Sequence, residues 1–227
     1  MSADLAEATR TGRLMTLPGV YAPQHDTRLL MAALNREGVA RGAEVLDVGT
    51  GSGALALHAA HLGARVTAVD IAWRAVMTTR LNALLHRRRI RVRRSDLLSA
   101  LPGRSYDLVV CNPPYVPSPV DLLPGHGAAR AWEAGRDGRA VLDRLCASAP
   151  AALRPGGRLL LVHSGLCDGD VTVRRLSDAG LRARVSDRAL VPLGPVLRSR
   201  LRWLRDTGLV GAGETSEELV VIRAEHA

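Results

Sequence analysis

Glu44-Val45-Leu46-Asp47-Val48 is a short apolar run that passes directly into Gly49-Thr50-Gly51-Ser52-Gly53 and then into the helical-period segment Ala54 to Leu62. No other stretch limits the fold as tightly. A strand, a glycine turn and a helix in that order bring backbone N–H groups and the positive end of a helix beside a ligand, and the glycines permit the close approach. The same grammar recurs downstream. Arg65-Val66-Thr67-Ala68-Val69 ends in Asp70, about 20 residues on, where nucleoside-binding α/β folds keep an acid for ribose hydroxyls. Ile90-Arg91-Val92-Arg93 runs into Ser95-Asp96-Leu97, and Tyr106 to Cys111 runs into Asn112. Apolar, β-branched runs alternating with helical segments predict an α/β fold with a buried parallel sheet. The polar residues at the strand ends then share the rim where open α/β sheets bind ligands.

The fourth run leads into Asn112-Pro113-Pro114-Tyr115. Two consecutive prolines donate no backbone hydrogen bond and hold φ near about −65°. The chain therefore leaves the sheet stiffly, with carbonyls that have no ladder partner. The Asn112 side-chain oxygen adds an acceptor and the Tyr115 ring adds a flat face. Such a loop suits a planar N–H₂ group, either an amide or a base. Taken alone, the motif reads equally as a rigid exit from the sheet without chemistry.

With both motifs in hand, the chain resembles the class I methyltransferases that use S-adenosylmethionine (SAM), and within them the HemK/PrmC family of protein-glutamine methyltransferases. The resemblance runs from about Pro18 to Leu190. It is to the short eukaryotic and archaeal branch, which lacks the N-terminal helical bundle of the bacterial release-factor enzymes. Three stretches carry it: Val20-Tyr21-Ala22-Pro23-Gln24-His25-Asp26-Thr27, Asn112-Pro113-Pro114-Tyr115-Val116, and His126-Gly127 through Trp132 to Gly135-Arg136-Asp137-Gly138-Arg139. Ala22 and His25 depart from it, standing where that branch usually has glutamates.

The resemblance implies a Rossmann-like, seven-stranded, mostly parallel sheet in strand order 3-2-1-4-5-7-6 with helices on both faces. It implies SAM binding at Thr27, Asp47, Gly49, Gly51, Gly53, Asp70, Asp96, Leu97 and Asn112. Catalysis falls to Asn112, Pro113, Pro114 and Tyr115, with Asn112 and the Pro113 carbonyl receiving the substrate amide. The implied reaction is N-methylation of a planar amide or amino nitrogen, first of all a protein glutamine side chain such as that of a class 1 release factor. Alternatives are an adenine in DNA or RNA, a small metabolite or peptide of specialised metabolism, and a non-catalytic SAM-binding module. In the same branch a small zinc-binding activator protein pairs with the edge made by the third strand.

Composition bounds the rest. A chain of 227 residues that is 47% hydrophobic fits one α/β domain over its whole length, 1–227. No apolar run reaches the roughly 18 residues needed to span a bilayer. Met1-Ser2-Ala3-Asp4-Leu5 has neither the basic nor the apolar region of a signal peptide, so a cytoplasmic location is expected, away from membranes. Cys111, Cys146 and Cys167 are too few and too scattered for a metal site or a disulfide framework and suit a reducing compartment. The net charge of +9 raises nucleic acid or an acidic protein as a partner. A second cause competes, because the chain has no lysine and no phenylalanine while arginine, alanine and glycine abound, as in a GC-rich genome whatever the function. Aromatic residues are too sparse for a stacking platform on single strands.

The polar segment 1–16 is expected to be flexible. Asp26 is expected to cap a helix ending near Gly38 that folds, with its preceding loop, over the cofactor. Helices are expected over Ser52–Leu62 and over Ile71–His86, the latter turning Ala75, Val76, Thr79 and Leu84 to the core. Arg87 to Arg94 alternates Ile90 and Val92 with arginines, which suits either a charged sheet edge that blocks aggregation or the docking of an acidic partner. Val116 to Gly135 is a long irregular segment, Asp137 caps a helix over Gly138–Ala149, and Pro155-Gly156-Gly157 turns into a fifth strand at Arg158–His163. A helix over Asp168–Ala179 and a strand over Leu181–Val185 follow. An extra helical hairpin over 192–213 sets Leu197, Leu201 and Leu204 beside Arg198, Arg202 and Arg205, for packing or for substrate recognition, ahead of a last strand at Glu218–Ile222.

Overall fold

The computed structural model describes residues 14–99, 101, 103–125 and 127–226. Most of the segment expected to be flexible, and His126, lie outside the described residues. Where that segment enters the description it is tied down: the Met15 N–H donates to Asn82 Oδ1 (2.9 Å) and Asn82 Nδ2 donates to the Met15 carbonyl (2.8 Å).

The chain runs α1 (His25–Arg36), β1 (Glu44–Val48), α2 (Ala54–His61), β2 (Arg65–Asp70), α3 (Trp73–Leu85), β3 (Ile90–Arg94), β4 (Tyr106–Cys111), α4 (Ala140–Ser148), β5 (Leu153–Ser164), α5 (Gly169–Asp178), β6 (Leu181–Pro192), α6 (Pro195–Ser199), α7 (Leu201–Asp206) and β7 (Ser216–His226). The seven strands form one sheet in the order β3-β2-β1-β4-β5-β7-β6. β7 is antiparallel to both of its neighbours, while the other strand pairs are parallel. This is the Rossmann-like architecture expected.

Successive strand residues point to opposite faces, so unbroken apolar strands build two cores. Leu46, Val109, Leu159 and Leu161 pack with Leu142 and Leu145 of α4 and Leu176 of α5. Val45, Leu108, Val110 and Leu160 pack with Leu30 and Leu34 of α1, the alanine-rich α2 and Val76 of α3. A third cluster joins Leu193, Leu197, Leu204 and Val210, from the segment that holds α6 and α7, to Val116, just after the double proline.

Several sequence expectations are corrected. Asp26 lies inside the first turn of α1, where Gln24 is the cap residue, because its carboxylate is drawn inward to two tyrosines. Leu84 is 75% exposed instead of core, since α3 flanks β3 at the sheet's edge and no described residue beyond that strand covers it. Asp137 does not cap α4; its Oδ1 accepts from the Arg139 N–H (2.9 Å) ahead of the helix. Pro155-Gly156-Gly157 lies within β5, where the register jumps from Tyr106↔Leu153 to Leu108↔Arg158. A Cβ on Gly157 would stand 2.8 Å from the Tyr106 carbonyl oxygen, so the irregularity needs glycine there. Asp168 does cap its helix, accepting from the Asp170 and Val171 N–H groups at 3.0 Å.

Candidate active site

A cavity opens at the carboxyl ends of β1, β2, β3 and β4. The turn after β1 reaches it with Gly49 at φ +71° and Gly51 at φ +55°, backbone that side chains other than glycine rarely adopt. A Cβ on Gly51 would approach the Tyr21 carbonyl oxygen to 3.7 Å, so the turn passes close under the loop before α1. Asp70 ends β2 with its two oxygens divided: Oδ2 accepts from the Gly51 N–H (3.0 Å) and Oδ1 from the Ala72 N–H (2.8 Å). Burial raises its pKa, while the Ala72, Gly51 and Ile71 N–H groups and the charge of Arg130 oppose the rise. With the Ile71 N–H as a third donor, the carboxylate still keeps acceptor capacity, which suits a ribose hydroxyl. Asp96 and Leu97 lie on the rim after β3, with Asp96 Oδ2 paired to Arg144 at 2.7 Å and Leu97 at φ +49°.

The loop after β4 closes the other side. Asn112 Nδ2 is directed at Thr27 Oγ1 (3.4 Å), and among the described residues no donor is directed at its Oδ1. The Tyr115 hydroxyl donates to Asp26 Oδ2 (2.9 Å), and the Tyr21 hydroxyl donates to the same oxygen (2.7 Å). Burial, and then the Asp26 charge, push both phenols well above their ordinary pKa, so each remains a donor. From behind, Cys167 Sγ donates to the Tyr115 carbonyl at 3.1 Å. The segment Val116–Gly135 folds back on itself through Val116 N to Trp132 O (2.7 Å) and Ser118 N to Gly135 O (2.9 Å). Arg200, between α6 and α7, clamps it, donating to the Pro117 carbonyl (2.9 Å) and to Glu133.

A family model described as the methyltransferase small domain matches residues 11–120. The chain is 32% identical over 181 residues to a putative protein N5-glutamine methyltransferase of Methanocaldococcus jannaschii, covering 79% of this chain and 90% of that protein. The chain belongs to the HemK family of SAM-dependent methyltransferases. A release factor glutamine methyltransferase of Bordetella pertussis is 38% identical over 76% of this chain and 67% of its own length. Among solved structures, the Mtq2-Trm112 complex of E. cuniculi, responsible for methylation of the termination factor eRF1, is similar with a TM-score of 0.63 and 26% identity, over 92% of this chain and 99% of that one.

The cofactor of this methyltransferase is SAM, and the residues present fit it: a glycine turn free of side chains, an acid with acceptor capacity left at the end of β2, and an apolar floor of Leu55, Val69 and Ala75. The cavity brings together Thr27, Gly49, Gly51, Asp70, Asp96, Leu97 and Asn112 with Pro113, Pro114 and Tyr115. Asp47 and Gly53 stand behind its wall instead. Asp47 is fully buried, accepts from Thr50 Oγ1 (2.6 Å) and the Ala56 N–H (3.1 Å), and is pushed up to about 7 by burial. It braces the turn from beneath. Gly53, at φ +84°, lets α2 meet α3, since a Cβ there would stand 2.8 Å from Thr79. Sequence reasoning missed Arg130 beside Asp70 and the contact of Gly138 with Tyr115; the signal for both lies in folded proximity, not in spacing.

Asp70→Ala is expected to weaken SAM binding by about 1.5–3 kcal/mol, through loss of charge-assisted acceptors. Calorimetry should read this as a roughly ten- to hundredfold rise in Kd. An unchanged Kd would remove Asp70 from the cofactor site.

Proposed function

We propose that this methyltransferase modifies the side-chain amide nitrogen of a glutamine in a protein of the release-factor class, with Asn112 to Tyr115 as the acceptor site. The observation that carries this reading is the orientation of Asn112. Its Nδ2 faces Thr27 Oγ1 at 3.4 Å, which turns Oδ1 the other way as an acceptor next to the proline carbonyls that have no N–H partner in the sheet. A primary amide offers two N–H bonds to such a pair, and holding both directs the nitrogen lone pair toward the cofactor cavity. SAM, when bound, supplies a methyl carbon already activated by its sulfonium. Catalysis is then mostly alignment. As positive charge builds on nitrogen, the Asn112 and Pro113 oxygens hold its protons more strongly, and once the methyl group is on nitrogen one of those protons passes to solvent water, leaving a neutral N-methyl amide. Tyr115, fixed at its hydroxyl by Asp26 and at its carbonyl by Cys167, gives the amide plane a wall that does not turn.

Incubating cell extract with labelled SAM and the protein should place label in material sensitive to protease and resistant to nuclease. Label sensitive to nuclease would contradict the reading.

A partner fits the β3 edge. Among the described residues β3 is hydrogen-bonded to a strand on one side only, with Arg89 just before it and Arg91, Arg93 and Arg94 along it exposed. The adjacent helix α3 exposes Trp73, Met77, Leu84 and Leu85, each 47% or more in solvent. An apolar stripe beside a basic strand edge suits a small acidic protein that adds a strand there, and the similar Mtq2 is found in complex with Trm112. Leu84→Asp is expected to abolish co-purification with a co-expressed Trm112 homologue while leaving SAM affinity intact; undiminished co-purification would remove this face from the interface. No helix among the described residues is long and apolar enough to cross a membrane. Three free, buried thiols suit a reducing compartment, and the activity belongs in the cytoplasm on this reading.

A further inference from the structure

The cavity at the strand ends has a roof as well as a floor, and the roof comes from two separate stretches of chain. One is the loop before α1, which contributes Gly19, Val20, Tyr21 and Pro23. The other is the short 3-10 turn Ala128–Ala131 with its flanks, which contributes Gly127, Arg130, Ala131 and Trp132. They meet at Gly19, where φ is +83° and a Cβ would stand 3.9 Å from both the Cα and the Cβ of Ala128. The same Cβ would lie 3.8 Å from Arg74 Nη1, in the first turn of α3 just past Asp70, and the charge of Arg130 acts on Asp70. The contact is therefore beside the end of β2. A ligand seated on Asp70 and the glycine turn lies beneath both stretches.

The two are held unequally. The loop before α1 is tied at Met15, whose N–H and carbonyl both bond to Asn82, and at Pro18, whose carbonyl accepts from Arg74 Nη1 (3.3 Å). The turn is anchored at its far end, where the Trp132 carbonyl accepts from the Val116 N–H (2.7 Å) and Glu133 accepts from Arg200. Ahead of that anchor little holds it. None of Ala128–Ala131 is buried, Arg130 donates to the nearby Gly125 carbonyl (2.8 Å), and Val120 and Leu122 are 56% and 80% exposed. Among the described residues no hydrogen bond or ion pair joins the turn to the loop before α1. A segment with few buried groups and no polar tie to its neighbour opens at low free-energy cost.

We propose that the contact between Gly19 and Ala128 is the gate for the cofactor. The turn swings about its anchor at Trp132 to admit SAM and to let the demethylated cofactor out, and it rests against the loop before α1 during methyl transfer. Closure of this kind keeps water from the reacting atoms and ties turnover to reopening. Gly19 serves the gate by having no side chain, which lets the two backbones touch. The gate concerns the cofactor alone and does not depend on which nitrogen is methylated.

A disulfide across the gate tests it. The 3.9 Å between a Cβ at Gly19 and that of Ala128 lies within the usual disulfide range of about 3.5–4.5 Å, and the chain's own three cysteines are buried. The double variant Gly19→Cys, Ala128→Cys should cross-link on oxidation with diamide. The probe is tritiated S-adenosylhomocysteine, the demethylated cofactor, with its uptake and its release into excess unlabelled compound followed by filtration. Oxidation before loading should slow uptake at least tenfold, oxidation after loading should slow release at least tenfold, and dithiothreitol should restore both. The ratio of the two rates should move less than threefold, because a gate slows passage in both directions, whereas a cross-link that merely distorts the site speeds release. Unchanged exchange in the oxidised protein, faster release, or failure of the folded double variant to cross-link would each overturn the proposal. Ala128→Gly removes the side chain that packs on Gly19 and should raise both rates at least threefold at an unchanged ratio. Parental rates in that variant would overturn the gate as well, and it decides the matter if the double variant does not fold.

Discussion

Asn112→Ala should lower turnover on a glutamine acceptor by about 10²–10³-fold, the usual loss when a preorganised hydrogen-bonding group facing developing charge is removed. SAM affinity should stay within about threefold of the parent, because the glycine turn and Asp70 are untouched and the Asn112 bond to Thr27 is long at 3.4 Å. The split between the two readouts is the point. A cofactor residue would lose binding first, whereas an acceptor-positioning residue loses kcat. Single-turnover kinetics with saturating SAM would measure it, and near-parental turnover would mean that the amide is held by something other than this side chain.

Gly138→Ala is expected to have the largest effect on stability, although position 138 lies outside the cavity lining. Gly138 sits at φ +72°, and a Cβ there would stand 2.7 Å from Cys167 Sγ and closer still to the Tyr115 carbonyl oxygen. Left-handed backbone costs a residue with a side chain about 1–2 kcal/mol, and forced overpacking adds about 1–3 kcal/mol. The sum, about 2–5 kcal/mol, corresponds to a fall in Tm of roughly 5–15 °C for a domain of this size. The fraction that still folds should turn over slowly, because the clash pushes on the backbone that sets the Tyr115 ring, and a misplacement of about 1 Å can cost 10²-fold. A melting curve within about 1 °C of the parent would show that the loop yields freely and that Tyr115 is not held from behind.

Much of this was legible in the residues. β1, the glycine turn and α2 follow from local pattern alone, since the apolar run, the positive-φ glycines and the helical period are each set by neighbours in sequence. The gathering of Asp70, Asp96 and Asn112 follows too, because parallel strands bring their carboxyl ends to one rim. What was not legible depends on distant packing. Asp26 has the composition of a helix cap, yet Tyr21 and Tyr115 take its carboxylate, and Tyr115 lies 89 residues away. Leu84 fits the helical stripe of α3, but a stripe does not reveal that β3 is the last strand. Asp47 and Gly53 match the turn motif faithfully and serve it from beneath, where spacing cannot separate a residue that lines a cavity from one that braces it.

The central claim is that the loop after β4 presents a protein glutamine amide to SAM. Incubating the protein and SAM with a class 1 release factor from the same cell, then sequencing the digested peptides by mass spectrometry, tests it most directly. The account predicts one added methyl group on the side-chain nitrogen of a single glutamine, absent when Asn112→Ala replaces the parent. Methylation of another residue type, or a release factor left unmodified while nucleic acid or a small molecule in the same extract takes the label, would contradict it.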